Sequence, residues 1–380
     1  FMKILFLITE DWAFISHRLH LAEYSINKGH EIAVLCNIKD GFDEINSKEI
    51  KIYSWPISRS SKNIYFEYLS IKKVVETLRE FSPDIIHAVG LKPVIYSFLA
   101  SIFTRSQNRV LALGGLGFVF SSNSWKAFLL RPFINLAYKI SFAYGNTVLI
   151  LQNIDDVNLL NSKKIRDKNK IRIIRGAGVE IDKFLPKKEN KNIIKILFPG
   201  RILWDKGIKE FIETARSVKK NYRNVVFIIA GERDIHNPEC VPLEIINSWL
   251  KEGCVEWWGH CKNMPEIFSR INIVCFPSYR EGLPKVLLEA SACSRPIVTF
   301  DVPGCREVVI DGFNGYLAPF GDVNKIVVSI IKLINSSKLR KEMGRNGRKK
   351  IIEEFSSDKI NNQTIQIWNE LNKNNDKKNN

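Results

Sequence analysis

Two carboxylates separated by seven residues mark the strongest local signal, in Glu281-Gly282-Leu283-Pro284-Lys285-Val286-Leu287-Leu288-Glu289. Tyr279-Arg280-Glu281-Gly282 reads as a turn after the strand-like run Ile273–Phe276, and Pro284 suits the first turn of a helix. The amides of Gly282, Leu283, Lys285 and Val286 would then point at whatever sits at that terminus, which is a setting for a phosphate. Glu281 lies beside that point. Glu289, two turns on, is placed to accept hydrogen bonds from a diol such as a ribose. The alternative is an acidic helix start favoured by the macrodipole, with Glu289 a solvated surface residue.

A second cluster, Gly200-Arg201-Ile202-Leu203-Trp204-Asp205-Lys206-Gly207, follows another strand-like run. Its glycine permits close approach of a ligand. Arg201 and Lys206, five apart on a loop-to-helix turn, are expected to reach one anionic group such as a diphosphate. Near the start, Ser16-His17-Arg18 reads as a helix start able to meet a phosphate, or as a plain serine cap followed by surface residues.

These residues need strand ends to hold them. Apolar runs at Lys3–Ile8, Glu31–Cys36, Asp84–His87, Arg109–Leu113, Thr147–Leu151 and Ile171–Ile174 alternate with helical patterns at Arg18–Lys28, Ile64–Phe81, Lys92–Phe103, Ser124–Tyr144 and Asp155–Asn161. Continuous Val/Ile/Leu runs between helices are what a parallel sheet covered on both faces produces. The polar stretch Pro186–Asn192 reads as a linker. After it come strands at Ile193–Phe198, Val225–Ile229, Val255–Trp258, Ile273–Phe276, Pro296–Phe300 and Gly315–Leu317, with helices between. The expected fold class is therefore α/β, as two doubly wound domains with their strand ends facing a cleft. Expected boundaries are 1–185 and 193–355, then a C-terminal helix over 356–371 and a disordered tail over 372–380. The pattern alone does not assign the two last helices to a domain.

The G-R-x4-K-G and E-G-x-P-x-V-x-x-E motifs, some 70 residues apart, resemble the retaining GT-B glycosyltransferases of the family 4 type, which include glycogen synthases and bacterial lipopolysaccharide enzymes. The resemblance covers nearly the whole chain. Arg201 to Phe211, Arg233-Asp234 with Asn237-Pro238, and Gly115-Leu116-Gly117 resemble enzymes that extend polyprenyl-diphosphate-linked sugars, notably N-acetylgalactosaminyl transferases. This likeness implies two Rossmann-like domains, an acceptor-binding one and a nucleotide-sugar-binding one. It implies retention of configuration without a metal or cofactor. Arg201 and Lys206 would stabilise the nucleotide diphosphate, Glu289 would hold the ribose and Glu281 would contact the donor sugar. Two departures stand out. The loop after the first strand, Glu10 to Arg18, is bulky and aromatic where relatives are glycine-rich, so Ser16, His17 and Arg18 are carried over only as candidates. Relatives often carry H-x-H after the strand holding His87; here Val89 takes the second place, leaving His87 either a catalytic-site or a core residue.

Composition bounds the alternatives. The chain has 380 residues, is 45% hydrophobic and carries a formal charge of +17. Residues 85 to 154 hold six basic and no acidic side chains, interleaved with aromatics. That pattern suits anionic lipid, a diphosphate ligand or nucleic acid, or follows from a basic proteome. No nucleic-acid-binding motif accompanies it, so no nucleic-acid partner is expected. The partners the resemblance implies are a nucleotide-sugar donor, a polyprenyl-diphosphate-linked sugar acceptor and an anionic inner-membrane surface. Trp125–Arg131 is the candidate for dipping into lipid. Met2–Ile8 runs too soon into Glu10-Asp11 for a signal peptide, and seven cysteines show no metal-like spacing, so a cytoplasmic protein peripheral to the inner membrane is expected. Two rivals remain: a nucleotide-sugar epimerase of similar shape, and a basic nucleic-acid-binding protein.

Overall fold

A computed structural model describes residues 1–58, 63–104, 108–114, 140–142, 144–161, 170–189, 192–235 and 237–379. The chain divides into two compact units, Phe1–Ala177 with Ser357–Asn380, and Gly178–Ser356.

The first unit is built on β1 (Lys3–Glu10), β2 (Glu31–Asn37), β3 (Lys51–Ser54), β4 (Ile85–Val89), β5 (Asn108–Ala112), β6 (Asn146–Leu151) and β7 (Ile171–Ile173). They form one parallel sheet in the order β3-β2-β1-β4-β5-β6-β7. Strand alternation sorts the apolar runs onto two faces. Ile4, Phe6, Ile8, Ile32 and Val34 enter one core, and Leu5, Leu7, Ala33 and Leu35 the other. Helices α1 (Asp11–His17) and α2 (Leu19–Ile26) and the C-terminal helix Ser357–Asn379 lie on the first face; α4 (Ile64–Phe81) and α5 (Leu91–Ile102) lie on the second. Short α3 (Phe42–Asn46) and α6 (Ile154–Asn161) complete the described helices. The C-terminal helix returns to the first unit because Ile360, Ile367, Trp368 and Leu371 form a helical stripe buried in that core. It continues to Asn379, past the expected end at 371.

The second unit is the sheet β10-β9-β8-β11-β12-β13, again parallel. Its strands are β8 (Ile194–Pro199), β9 (Val225–Ala230), β10 (Glu256–Trp257), β11 (Ile273–Phe276), β12 (Ile297–Phe300) and β13 (Gly315–Ala318). Covering helices are α7 (Ile208–Lys219), α8 (Leu243–Lys251), α9 (Met264–Ser269), α10 (Lys285–Ala292), α11 (Cys305–Val308), α12 (Val323–Asn335) and α13 (Ser337–Glu354). Both units are thus doubly wound and Rossmann-like. The strand order reverses between β1 and β4, and between β8 and β11, where such sheets place ligands.

Residues 186–189 of the expected linker 186–192 fall within the second unit. Glu189 is buried against Arg340, which grips it in a fork at 2.9 and 3.1 Å, while Asn272 donates to the same carboxylate at 3.2 Å. Arg340 also donates to the carbonyls of Leu333 and Ile334, at 2.6 and 3.0 Å. Arg295 reaches the Lys187 carbonyl at 2.8 Å. Breaking a buried pair by removing one partner strands the other charge, at a cost of about 3–5 kcal/mol. Glu189→Ala should therefore lower stability by about 3 kcal/mol or more in denaturant unfolding of the second unit. Glu252→Ala, which breaks the exposed Arg216 pair, should move the transition little. Equal effects from the two variants would make 186–192 a linker after all.

Candidate functional site

Three loops leave the carboxyl ends of the neighbouring strands β8, β11 and β12, and their backbones interlock. After β8 the chain passes through Gly200 and Arg201 into a 3-10 turn over Trp204–Lys206. Gly207 then adopts φ +75°, and a Cβ there would lie 1.8 Å from the Pro277 carbonyl oxygen. Only glycine lets the Lys206 turn lie against the loop after β11. Tyr279 N–H donates to the Asp205 carbonyl at 3.0 Å. From the other side, Glu281 N–H donates to the Pro303 carbonyl at 3.2 Å. Gly304, at φ +81°, approaches so closely that a Cβ would meet the Glu281 and Gly282 carbonyl oxygens at 2.6 and 2.7 Å.

This stack brings Lys206 and Glu281 together, with Nζ 2.7 Å from Oε1 and each side chain 15% exposed. Ser278 Oγ donates to the same oxygen at 2.8 Å. Arg201, expected to reach the same anion as Lys206, does not join this pair. Arg201 instead pairs with Asp234 at 2.6 Å on a more exposed surface. Helix α10 begins at Lys285, behind Gly282 and Leu283, with Pro284 in an extended conformation as its cap residue. The Leu287 and Leu288 amides return to the Pro284 carbonyl, so the first turn of Lys285 and Val286 faces out of the helix end. Glu289 is buried, only 6% exposed, rather than solvated. Burial raises its carboxyl above the ordinary value, and Lys285, 3.5 Å away, opposes that rise.

In the first unit Ser16 and His17 close α1, and Arg18 is the junction to α2. The helix expected from Arg18 is α2, with Arg18 as its cap residue; what the sequence did not show is the short helix α1 in front of it. The helix begins at Asp11, because the Asp11 carboxylate accepts the amides of Lys39 and Gly41, at 2.7 and 2.9 Å, and ties α1 to the end of β2. Arg18 is buried, and burial lowers its guanidinium to about 10. His87 lies within β4, packed on Phe6 and Trp368, with Nδ1 accepting from the Trp368 indole at 3.3 Å. Burial, and secondarily the Arg18 charge, hold its imidazole well below the usual range. It is a buried histidine that lines a recess together with Arg18.

Comparison with known proteins bears on both units. Residues 180–350 match the family described as Glycosyl transferases group 1, and residues 3–153 match that described as Glycosyl transferase 4-like. The chain is 28% identical, over 91% of its length and 93% of the relative's, to the N,N'-diacetylbacillosaminyl-diphospho-undecaprenol alpha-1,3-N-acetylgalactosaminyltransferase of Campylobacter jejuni. It is 22% identical over 89% of each chain to the UDP-Gal:alpha-D-GlcNAc-diphosphoundecaprenol alpha-1,3-galactosyltransferase of Escherichia coli. The fold matches sucrose-phosphate synthase from Thermosynechococcus elongatus with a TM-score of 0.83, at 16% identity, over 98% of this chain and 99% of that one. The chain is a GT-B glycosyltransferase.

Several groups around the glycosyltransferase's Lys206–Glu281 pair were not singled out from sequence. Tyr279 OH donates to Glu210 Oε1 at 2.6 Å, with Phe320 against its ring, so Glu210, one turn past Lys206, braces the loop from below. The spacing Lys206 to Glu210 on a helix was the available signal. Cys305 lies close enough for Glu281 to act on it, but burial first and that charge second push its thiol up to about 12, so it is no nucleophile. No group of three or more His, Cys, Asp or Glu among the described residues is arranged for a metal ion. The loop stack makes a sharp comparison of two glycines. Gly312 shares the left-handed conformation at φ +73° but has open space around it. Gly312→Ala should cost about 1 kcal/mol of backbone strain and spare sugar transfer. Gly304→Ala should displace Glu281 and cut turnover by about tenfold or more, the scale of a misplaced reacting group. Equal activity for both variants would show that the stack does not position Glu281.

Proposed function

We propose that the protein is a retaining glycosyltransferase moving an N-acetylhexosamine from a UDP-sugar onto a polyprenyl-diphosphate-linked saccharide in bacterial surface glycan assembly. The observation that carries this reading is the Lys206–Glu281 pair beside the start of α10, at the point where the strand order of the second unit reverses. The names of the Campylobacter and Escherichia relatives, both acting on undecaprenyl-diphosphate-linked sugars, support the choice of acceptor.

In this reading the donor diphosphate sits at the α10 start, against the first-turn amides of Lys285 and Val286 with Gly282 and Leu283. Lys206 exchanges its carboxylate partner for phosphoryl oxygens, and Arg201 adds charge from the more exposed side. Negative charge grows on the diphosphate as the glycosidic bond breaks, so a preplaced ammonium favours the transition state over the ground state. No metal or cofactor enters the reading. Glu289 accepts the ribose hydroxyls, and its burial makes that hydrogen bond strong. Glu281, freed from Lys206, accepts from a hydroxyl of the donor sugar. Attack comes from the face the diphosphate leaves, with the leaving phosphate taking the acceptor proton, which retains configuration.

Attachment to an anionic inner-membrane face, from a cytoplasmic location, belongs to the same proposal. Its support is the basic and aromatic stretch 85–154 and the exposed Ile64, Tyr65, Phe66 and Tyr68 at the start of α4. The candidate segment Trp125–Arg131, like Gly115-Leu116-Gly117, lies outside the described residues. Among those described, no helix is long and apolar enough to cross a membrane.

The reading is tested by UDP release from a panel of UDP-sugars, which should require a lipid-linked acceptor. Release or sugar interconversion without one would point to an epimerase. Lys206→Ala should lower turnover by roughly a hundredfold. Glu289→Ala should weaken binding of UDP alone, while Glu281→Gln should leave UDP affinity unchanged or tighter, because it frees Lys206, and should damage transfer. Calorimetry giving the reverse order for the two glutamates would mean their roles are exchanged.

A further inference from the structure

The first unit holds a recess whose walls include His17, Arg18, His87, Gln152, Asn361 and Thr364, above a floor of apolar residues. Arg18 is 9% exposed and His87 is 1% exposed. The Arg18 side chain makes one hydrogen bond among the described residues, from Nη1 to the His17 carbonyl at 2.9 Å, and its Nε is buried with no partner there. No described carboxylate pairs with it. The acidic side chains outside the description are Asp167 and Asp376, and the long stretch 115–139 brings none. A buried guanidinium without a counter-charge is costly to keep unless an anion meets it.

His87 supplies an independent second observation. The indole N–H of Trp368 is a donor only, so the Nδ1 atom it contacts at 3.3 Å must be the acceptor. The neutral ring then carries its proton on Nε2, and Nε2 is buried with no partner among the described residues. The two buried side-chain atoms of the recess without a partner among the described residues are therefore both donors, one of them on a cation. An acceptor that bears negative charge would answer both.

We propose that this recess binds a phosphoryl group, held by the Arg18 guanidinium and the His87 Nε2–H. The choice of a phosphoryl over another anion rests on the function proposed above, whose donor and acceptor are both diphosphates. The case for an anion rests on the recess alone. All of its walls belong to the first unit, so its partners are separate residues from Lys206, Glu281 and Glu289.

The test uses the full chain carrying Lys206→Ala and Glu289→Ala, titrated calorimetrically with inorganic pyrophosphate, geranyl diphosphate and UDP. One binding event should persist for pyrophosphate. Adding Arg18→Met, which keeps side-chain length and removes the charge, should weaken it by about tenfold or more, the worth of a charge-assisted hydrogen bond. Arg18→Lys, which keeps the charge but loses the Nε donor, should fall between. A melting curve for each variant confirms that it folds. Geranyl diphosphate binding without UDP binding identifies the acceptor as the source of the phosphoryl group; UDP binding that Arg18→Met abolishes identifies the donor. Undiminished pyrophosphate binding in the Arg18→Met variant, or no pyrophosphate binding before Arg18 is changed, overturns the proposal. UDP binding that neither Lys206→Ala nor Glu289→Ala weakens, and that Arg18→Met leaves intact, tells instead against the nucleotide site of the second unit.

Discussion

Lys206 and Glu281 lie 75 positions apart in sequence and 2.7 Å apart in space, each side chain largely withdrawn from water. Such a pair does little for stability on its own, since desolvation of both charges offsets their attraction. Its significance is that it forces the loops after β8 and β11 to be built to fit each other. Gly207 against the Pro277 carbonyl and Gly304 against the Glu281 carbonyl are the backbone consequences, and Tyr279 locked to Glu210 is the side-chain one. A charged pair held by three interlocked loops suits the proposed diphosphate, because the ammonium is already in place.

Three of the four buried arginines among the described residues show how differently this chain treats a desolvated cation. Arg340 has a carboxylate and two carbonyls, and acts as a clamp on Glu189. Arg109 has no carboxylate; it donates to the Ser141 carbonyl and to Thr147, and lies over the rings of Phe98 and Tyr144. Burial lowers its guanidinium to about 10, as it does for Arg18. Arg340 is surrounded as a structural cation is. Arg109 rests on carbonyls and rings, with its Nε and Nη1 buried and without a partner among the described residues, and Arg18 has one carbonyl and a neutral histidine donor beside it.

Much of the fold was legible because strands buried on both faces must be apolar throughout, and the runs at Lys3–Ile8 or Ile273–Phe276 leave no other assignment. The motif pairs were legible because loops at parallel strand ends keep their chemistry local, within eight or nine residues. What escaped depends on long-range partners. Glu189 looks like linker composition until Arg340, 151 residues later, is found on it. The loop Glu10–His17 becomes helix α1 only because Asp11 captures the Lys39 and Gly41 amides. Edge strand β3 is four residues of mixed polarity, too short to show a period. The separate partners of Arg201 and Lys206 follow from Asp234, which sits on a loop after β9 and gives no local sign of its role.

The central claim is that the α10 start, Lys206 and Glu289 form a nucleotide diphosphate site. A structure of the protein with UDP bound tests it most directly. The account predicts Lys206 Nζ off Glu281 and within about 3 Å of a diphosphate oxygen, with the Glu289 carboxylate on the ribose hydroxyls. UDP bound away from α10, with Lys206 still on Glu281, would contradict it.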